Sequence, residues 1–214
     1  MSTTTRHCDR VGPFDAVVVV GSQGALDSFR VMVRSLPKGF PAAILFDLHR
    51  ADSHGITEQL LRRRCALPVQ LAEDGLELVP GRLFLAPHDQ QLVIRDDMTM
   101  GLRGPGAGVG HRFADELLAS AARALGPRLI AVVLSGRLDG GARGVREVKR
   151  HGGRVIVEDA GSAAAPAMPT AALATGCVDF ALSPERLGDA LIALCAAAGA
   201  AELFRVRMNA GVTS

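Results

Sequence analysis

The sequence predicts an α/β fold built on a doubly wound, mostly parallel sheet in three layers, with a β-hairpin insertion. Apolar runs rich in β-branched residues alternate with amphipathic helical segments along nearly all of the 214 residues. These runs are continuously apolar, which is typical of parallel strands covered on both faces. One pair of short strand-like segments around Asp96-Asp97 interrupts the alternation and indicates the hairpin.

The first half of the chain begins with a strand over residues 15–20, where four consecutive valines follow Asp15-Ala16. A glycine turn separates this strand from a helix over 26–36, whose apolar residues recur at helical spacing. The later segments predicted before the hairpin are a strand over 42–46, a helix over 56–64, and short strands over 67–71 and 82–86.

The second half begins with the two hairpin strands, over 91–95 and 98–102, and a helix over 113–125. Ser183-Pro184 supplies an N-cap and a first-turn proline for a final helix that reaches about residue 198. The segments predicted between these helices are a strand over 129–134, a helix over 144–150, a strand over 154–157, a loop and short helix over 163–174, and a strand over 178–182.

This order of elements predicts one domain over residues 13–200, with mobile tails at 1–12 and 201–214. The formal net charge is only +2, and the chain has no Trp or Tyr. Neither a basic surface nor a platform for stacking bases is therefore expected, so the prediction is no nucleic-acid partner.

No membrane insertion is predicted, because the longest apolar stretch, over residues 190–201, is too short to span a bilayer. The N-terminus lacks the apolar core of a signal peptide, which favours a cytoplasmic protein. The 4 cysteines form no C-x-x-C pair and have no metal-ligand spacing, so no metal is expected. No cofactor is expected either. The sequence leaves the oligomeric state open.

Three polar residues follow predicted strands and are expected at one rim, where open parallel sheets bind ligands. Ser22 follows the first strand, His49 the second, and Asp139 lies in the loop after the strand over 129–134. A serine hydroxyl needs a base to become nucleophilic, an imidazole can supply it, and a carboxylate can orient the imidazole. Together the three form a candidate hydrolytic triad.

Each of these residues also has an ordinary structural interpretation. Ser22 can serve as a helix cap or lie in a phosphate-binding loop, His49 can be a hydrogen-bonded loop residue, and Asp139 can form a turn. A nucleotide-binding alternative uses the Gly21–Gly24 turn for pyrophosphate and Asp47 for a ribose hydroxyl. We rank it below the triad, since the turn has only G-x-x-G instead of G-x-G-x-x-G.

The chain order Ser, His, Asp on a doubly wound sheet resembles the CheB-type protein-glutamate methylesterase domain, from about Ala16 to Leu187. The α/β-hydrolases have the different order Ser, acid, His. The segments that carry the resemblance are residues 20–30, 41–49, 72–75, 80–87, 110–112, 134–144 and 167–169.

The resemblance implies hydrolysis of γ-glutamyl methyl esters on chemoreceptors, or on another methylated signalling protein, with release of methanol. Ser22 would then be the nucleophile, His49 the general base and acid, and Asp139 the orienting carboxylate. The chain starts almost at the first strand, so we expect no receiver domain.

The resemblance also implies the surroundings of the nucleophile. Backbone N–H groups near Gln23 and Gly24 would bind the oxyanion, Arg137 would adjoin the site, and Met168 would line the pocket or pack beside it. An ungapped match puts Gly140 instead of Asp139 at the family's aspartate. A non-catalytic relative that keeps the fold for protein interaction therefore stays an alternative.

Overall fold

A parallel sheet lies at the centre of the molecule. The computed structural model describes residues 13–48, 54–88, 90–104, 113–137 and 139–196. The strands in these ranges are β1 (Ala16–Gly21), β2 (Ala43–Leu48), β3 (Val69–Leu71), β4 (Leu83–Leu85), β5 (Gln91–Ile94), β6 (Met100–Arg103), β7 (Leu129–Val133), β8 (Arg154–Glu158) and β9 (Phe180–Leu182). The α-helices are α1 (Ala25–Val33), α2 (His54–Arg62), α3 (Phe113–Leu125), α4 (Ala142–Arg150), α5 (Ala167–Leu173) and α6 (Pro184–Ala196).

The strand order of the main sheet is β3-β4-β2-β1-β7-β8-β9, and every neighbouring pair is parallel. β5 and β6 form a separate antiparallel hairpin. The predicted doubly wound α/β fold with a hairpin insertion is therefore confirmed.

Two clusters of buried side chains cover the two faces of the sheet and account for its three layers. Val17 and Val19 of β1 belong to a cluster completed by α1, α2 and α6. Val18 and Val20 belong to the opposite cluster, completed by α3, α4, α5 and the hairpin. Successive side chains of a strand point to opposite faces of the sheet. Because both faces are covered here, β1 is apolar and buried at every position.

Several predicted boundaries differ from the observed ones by a few residues. β2 runs to Leu48, beyond the predicted residue 46, because it pairs with β1 as far as the Gly21–Leu48 pair. This pairing draws the polar Asp47 into a strand that an apolar pattern would end earlier. α1 ends at Val33, and a turn in which the Leu36 N–H donates to the Val33 carbonyl replaces its predicted last residues.

The predicted tails lie outside the described residues, so the predicted domain limits stay a prediction. No helix in the described part of the chain has the length and apolar character needed to cross a bilayer.

The two halves of the fold diverge between β1 and β7. These strands are neighbours, but the helix that follows β1 covers one face of the sheet and the helix that follows β7 covers the other. In open parallel sheets such a divergence leaves a crevice at the carboxyl ends of the strands, where ligands bind. Ser22 and the segment that begins at Leu134 leave the sheet at this crevice.

Candidate active site

Ser22 lies in the tight turn that joins β1 to α1. Its N–H donates to the Ser135 carbonyl at 2.9 Å, and its own carbonyl accepts the Ala25 N–H at 3.1 Å. Gly24 closes the turn with a φ of 83°, a left-handed conformation that favours glycine. The Ser22 side chain is half-buried, and its hydroxyl has no hydrogen-bond partner among the described residues.

The predicted oxyanion donors occupy the same turn. Ser22 and Ala25 both have acceptors for their N–H groups, whereas those of Gln23 and Gly24 have none in the described part of the chain. Unpaired N–H groups just ahead of a helix suit a developing negative charge. The turn therefore presents a hydroxyl and two free donors side by side.

The segment after β7 packs directly against Ser22. Gly136 is fully buried, and a Cβ placed on it would overlap Met168 Sδ and lie 3.2 Å from Ser22 Cβ. Backbone bonds fix this contact: the Gly136 N–H donates to the Ala165 carbonyl at 2.8 Å, and the Met168 N–H to the Gly136 carbonyl at 3.0 Å. The structure thus brings Met168 to the nucleophile turn, with only a glycine between them.

Arg137 is exposed at the rim of an open cavity of about 660 Å³. The other residues that line this cavity are Ala164, Ala165, Pro166, Ala167, Thr170, Ala171 and Ala174. The cavity adjoins the nucleophile turn, since a Cβ on Gly24 would lie only 2.7 Å from Ala164 Cβ. Its walls are small and mainly apolar, and Arg137 is their one charged side chain among the described residues.

Of the two predicted triad partners of Ser22, the structure describes Asp139. His49 lies outside the described residues, although Leu48, just before it, pairs with Gly21, just before Ser22. Asp139 is exposed, and its carboxylate has no hydrogen bond or ion pair with any described residue. Contact between His49 and Asp139 therefore stays a prediction.

Asp47 is a second carboxylate at this rim, two residues before His49 in the chain. Its side chain is half-buried next to Val20, its partner in the register, and has no hydrogen-bond partner among the described residues. Burial raises the pKa of Asp47 to about 6 from its ordinary value of 3.8. The folded protein therefore holds this proton more tightly than the unfolded chain does.

We expect Asp47→Asn to stabilise the protein at pH 7.5 by up to about 3 kcal/mol, at about 1.4 kcal/mol per unit of pKa. Below pH 3.8 the Asp47 carboxyl of the wild type is neutral in both the folded and the unfolded state, so its burial costs no stability. As the pH rises through 6 the buried carboxyl must ionise, and the wild type loses stability. The stability difference should therefore shrink towards zero at pH 4. Thermal unfolding of both proteins at the two pH values measures it, with the exposed Asp96→Asn as control. Destabilisation by Asp47→Asn at pH 7.5 would contradict this prediction.

Two residues that hold the nucleophile turn were not predicted to belong to the site. Ser135 supplies the carbonyl that accepts the Ser22 N–H, and the buried Glu158 accepts the Ser135 N–H at 2.7 Å. The signal for Glu158 was a charged residue that directly follows the apolar run Val155–Val157. The signal for Ser135 is its place directly after the predicted strand over 129–134. In the described residues no group of three or more His, Cys, Asp or Glu side chains could hold a metal ion.

Comparison with known proteins identifies this arrangement of elements. Residues 17–191 match the family model described as CheB methylesterase. The chain is 35% identical over 184 residues to the protein-glutamate methylesterase FrzG of Myxococcus xanthus, across 84% of this chain and 54% of that protein. A protein-glutamate methylesterase/protein-glutamine glutaminase of Anaeromyxobacter dehalogenans is 34% identical over 180 residues, across 82% of this chain and 52% of its own. The chain thus spans about half the length of these curated relatives.

In two further comparisons, this chain spans nearly the whole length of the matched protein. A putative protein-glutamate methylesterase/protein-glutamine glutaminase of Leptospira interrogans is 28% identical over 183 residues, across 85% of this chain and 95% of that protein. The crystal structure of the Thermotoga maritima CheB methylesterase catalytic domain superposes with a TM-score of 0.79 at 29% identity, covering 84% of this chain and 97% of that domain.

Proposed function

The chain belongs to the CheB methylesterase family, and from this premise we propose that it hydrolyses γ-glutamyl methyl esters and releases methanol. The observation that carries the proposal is Ser22, a half-buried serine in the turn after β1 with two unpaired N–H groups beside it. The proposed partner is a methylated chemoreceptor or another methylated signalling protein, and the proposed location is the cytoplasm.

In the proposed reaction the Ser22 hydroxyl oxygen attacks the ester carbonyl carbon while His49 takes its proton. The tetrahedral intermediate collapses, the carbon–oxygen bond to the methoxy group breaks, and His49 returns the proton so that methanol leaves. Water then attacks the acyl-enzyme by the same route, which regenerates Ser22 and leaves the glutamyl side chain of the substrate protein as a carboxylate. Asp139 would orient the imidazole and stabilise its protonated form.

The N–H groups of Gln23 and Gly24 would bind the oxygen of the tetrahedral intermediate. Donors that need no reorganisation stabilise the transition state, and loss of one such donor typically costs about 10²–10³ in kcat. The hydrogen bond from the Ser22 N–H to the Ser135 carbonyl supports this assignment, because it fixes the turn and so the direction of the Gln23 and Gly24 N–H groups.

The substrate would bind in the cavity beside the turn. Its small apolar walls suit a peptide packed closely against the protein, and Arg137 could pair with an acidic side chain near the ester. Met168 would limit the space around Ser22 on one side. Some relatives have the word glutaminase in their names, and the same acyl-enzyme route would release ammonia from a glutaminyl side chain.

The experiment that tests the proposal measures methanol released from a peptide that carries a glutamyl methyl ester. A parallel reaction with a serine-directed phosphonate, followed by mass spectrometry, identifies the labelled residue. We expect turnover together with stoichiometric labelling of Ser22. Absence of both from the folded protein would exclude the esterase.

Asp139→Asn tests which carboxylate serves His49. If Asp139 orients the imidazole, kcat should fall by up to about 10⁴-fold, the loss typical of the amide at this place in a triad. The matched variant Asp47→Asn should keep kcat within a few fold. The opposite result, with a large loss in Asp47→Asn and none in Asp139→Asn, would assign the role to Asp47.

A second candidate function is a non-catalytic module that binds other proteins. The exposure of Asp139, with Gly140 buried beside it, favours this candidate, because the carboxylate has no partner among the described residues. It predicts a folded protein that binds methylated signalling proteins without turnover and without labelling of Ser22.

A further inference from the structure

Glu158 is a buried carboxylate for which the reaction above has no use. It is the last residue of β8, its side chain is only 1% exposed, and no cationic side chain among the described residues pairs with it. Burial of a carboxylate without a cation is unfavourable unless hydrogen bonds satisfy its oxygens. The groups that donate hydrogen bonds to Glu158 therefore indicate its structural role.

Both carboxylate oxygens accept a hydrogen bond from a different part of the fold. The Ser28 hydroxyl, on α1, donates to Oε1 at 2.7 Å. The Ser135 N–H, just beyond β7, donates to Oε2 at 2.7 Å. Hydrogen bonds to a carboxylate are about twice as strong as those between neutral groups, so Glu158 holds α1, β8 and the segment after β7 together.

Ser135 connects Glu158 to the nucleophile turn. Its carbonyl accepts the Ser22 N–H at 2.9 Å, and its hydroxyl accepts the Ala165 N–H, from the wall of the cavity, at 3.2 Å. A Cβ on Gly24 would lie 3.4 Å from the Ser135 hydroxyl oxygen. The buried Ser135 thus contacts both the nucleophile turn and the wall of the substrate cavity, and Glu158 holds the backbone of Ser135.

We propose that Glu158 is a positioning residue that sets the place of Ser22 and its neighbouring N–H groups relative to the substrate cavity. This inference rests on the proposed ester hydrolysis. Glu158 acts through Ser135 and touches no reacting atom. A shift of about 1 Å in catalytic geometry can cost about 10² in rate, so a small relaxation of Ser135 would be visible in kcat.

Two substitutions separate the hydrogen bonds of Glu158 from its charge and its volume. Glu158→Gln keeps both bonds, since its amide oxygen can accept the Ser135 N–H and its NH₂ can donate to the Ser28 hydroxyl. We expect kcat within about threefold of the wild type. Glu158→Leu has a similar volume but accepts nothing, and its kcat should fall about 10–100-fold while KM changes less than about threefold. Labelling of Ser22 by the phosphonate should slow in parallel.

Val155→Ala controls for simple loss of stability, because Val155 is buried in the same strand but faces the opposite cluster. Its kcat, measured well below the unfolding temperature, should match the wild type. If Glu158→Leu does not fold, Ser28→Ala replaces it and should lower kcat about 3–10-fold by removing one of the two bonds. Unchanged kcat in Glu158→Leu, or in Ser28→Ala where it is needed, overturns the proposal, as does an equal loss in Glu158→Gln and Glu158→Leu.

Hydrogen–deuterium exchange of Gly21–Ala25 separates failure of this inference from failure of the esterase. Faster exchange at this turn in Glu158→Leu, with wild-type exchange in Glu158→Gln, supports the positioning role even where no ester is hydrolysed. If both variants exchange at the wild-type rate, the inference fails whatever the activity.

Discussion

Ser22→Ala is expected to lower ester hydrolysis about 10⁴–10⁶-fold, because no other group of the proposed mechanism can form the acyl-enzyme. The fold should tolerate the change. The Ser22 hydroxyl has no hydrogen-bond partner in the described part of the chain, and the bond to the Ser135 carbonyl uses the backbone N–H that alanine keeps. Stability should stay within about 0.5 kcal/mol of the wild type.

Methanol release and phosphonate labelling of the variant provide the measurement, and circular dichroism verifies the fold. Ser162→Ala is the matched control, since Ser162 is an exposed serine whose hydroxyl caps a turn at the Asp159 carbonyl. The control should keep full activity. Undiminished turnover in Ser22→Ala would show that another residue is the nucleophile.

Phe46→Ala should give the largest loss of stability, about 3–5 kcal/mol. The Phe46 ring stacks on Phe29 with 3.7 Å between ring centroids and 10° between ring planes, and both side chains are essentially inaccessible to solvent. Phe29 belongs to α1, which follows the nucleophile turn, and Phe46 to β2, three residues before His49. The substitution leaves a cavity between α1, which follows the nucleophile turn, and β2, which ends just before His49 in the chain.

Chemical denaturation measures this loss through the free energy of unfolding. Leu173→Ala is a suitable control, because Leu173 is a large apolar residue that is 39% exposed. It should change the free energy by less than about 1 kcal/mol. A loss below about 1 kcal/mol in Phe46→Ala as well would show that this core repacks and that the aromatic pair adds little.

The fold could be predicted because its signals are local. Four consecutive valines, a glycine turn and an amphipathic helix indicate a buried parallel strand and its crossover without knowledge of their neighbours. α3 was predicted with its observed limits, Phe113–Leu125, since helical spacing and good helix formers coincide there. The end of β2 depends on pairing with β1 and could not be read from its own residues.

The site could be predicted only in part, because its contacts join distant segments. Ser22 was identified from its place after the first strand, and Met168 from the resemblance alone. The bond between Ser28 and Glu158 joins residues 130 positions apart, and nothing near either residue indicates it. Asp139 carries a suitable side chain in the expected loop, yet it is exposed, and sequence position could not predict its side-chain contacts.

The hydrogen bond from Ser22 to Ser135 also has a consequence for folding. β1 lies between β2 and β7, and β7 is made long after β1 as the chain leaves the ribosome. Sheets assembled from strands so distant in sequence fold slowly, because loop closure precedes most of the stabilising contacts. The nucleophile turn cannot take its final form until Ser135 has emerged, so a nascent chain that ends before β7 is expected to have no esterase activity.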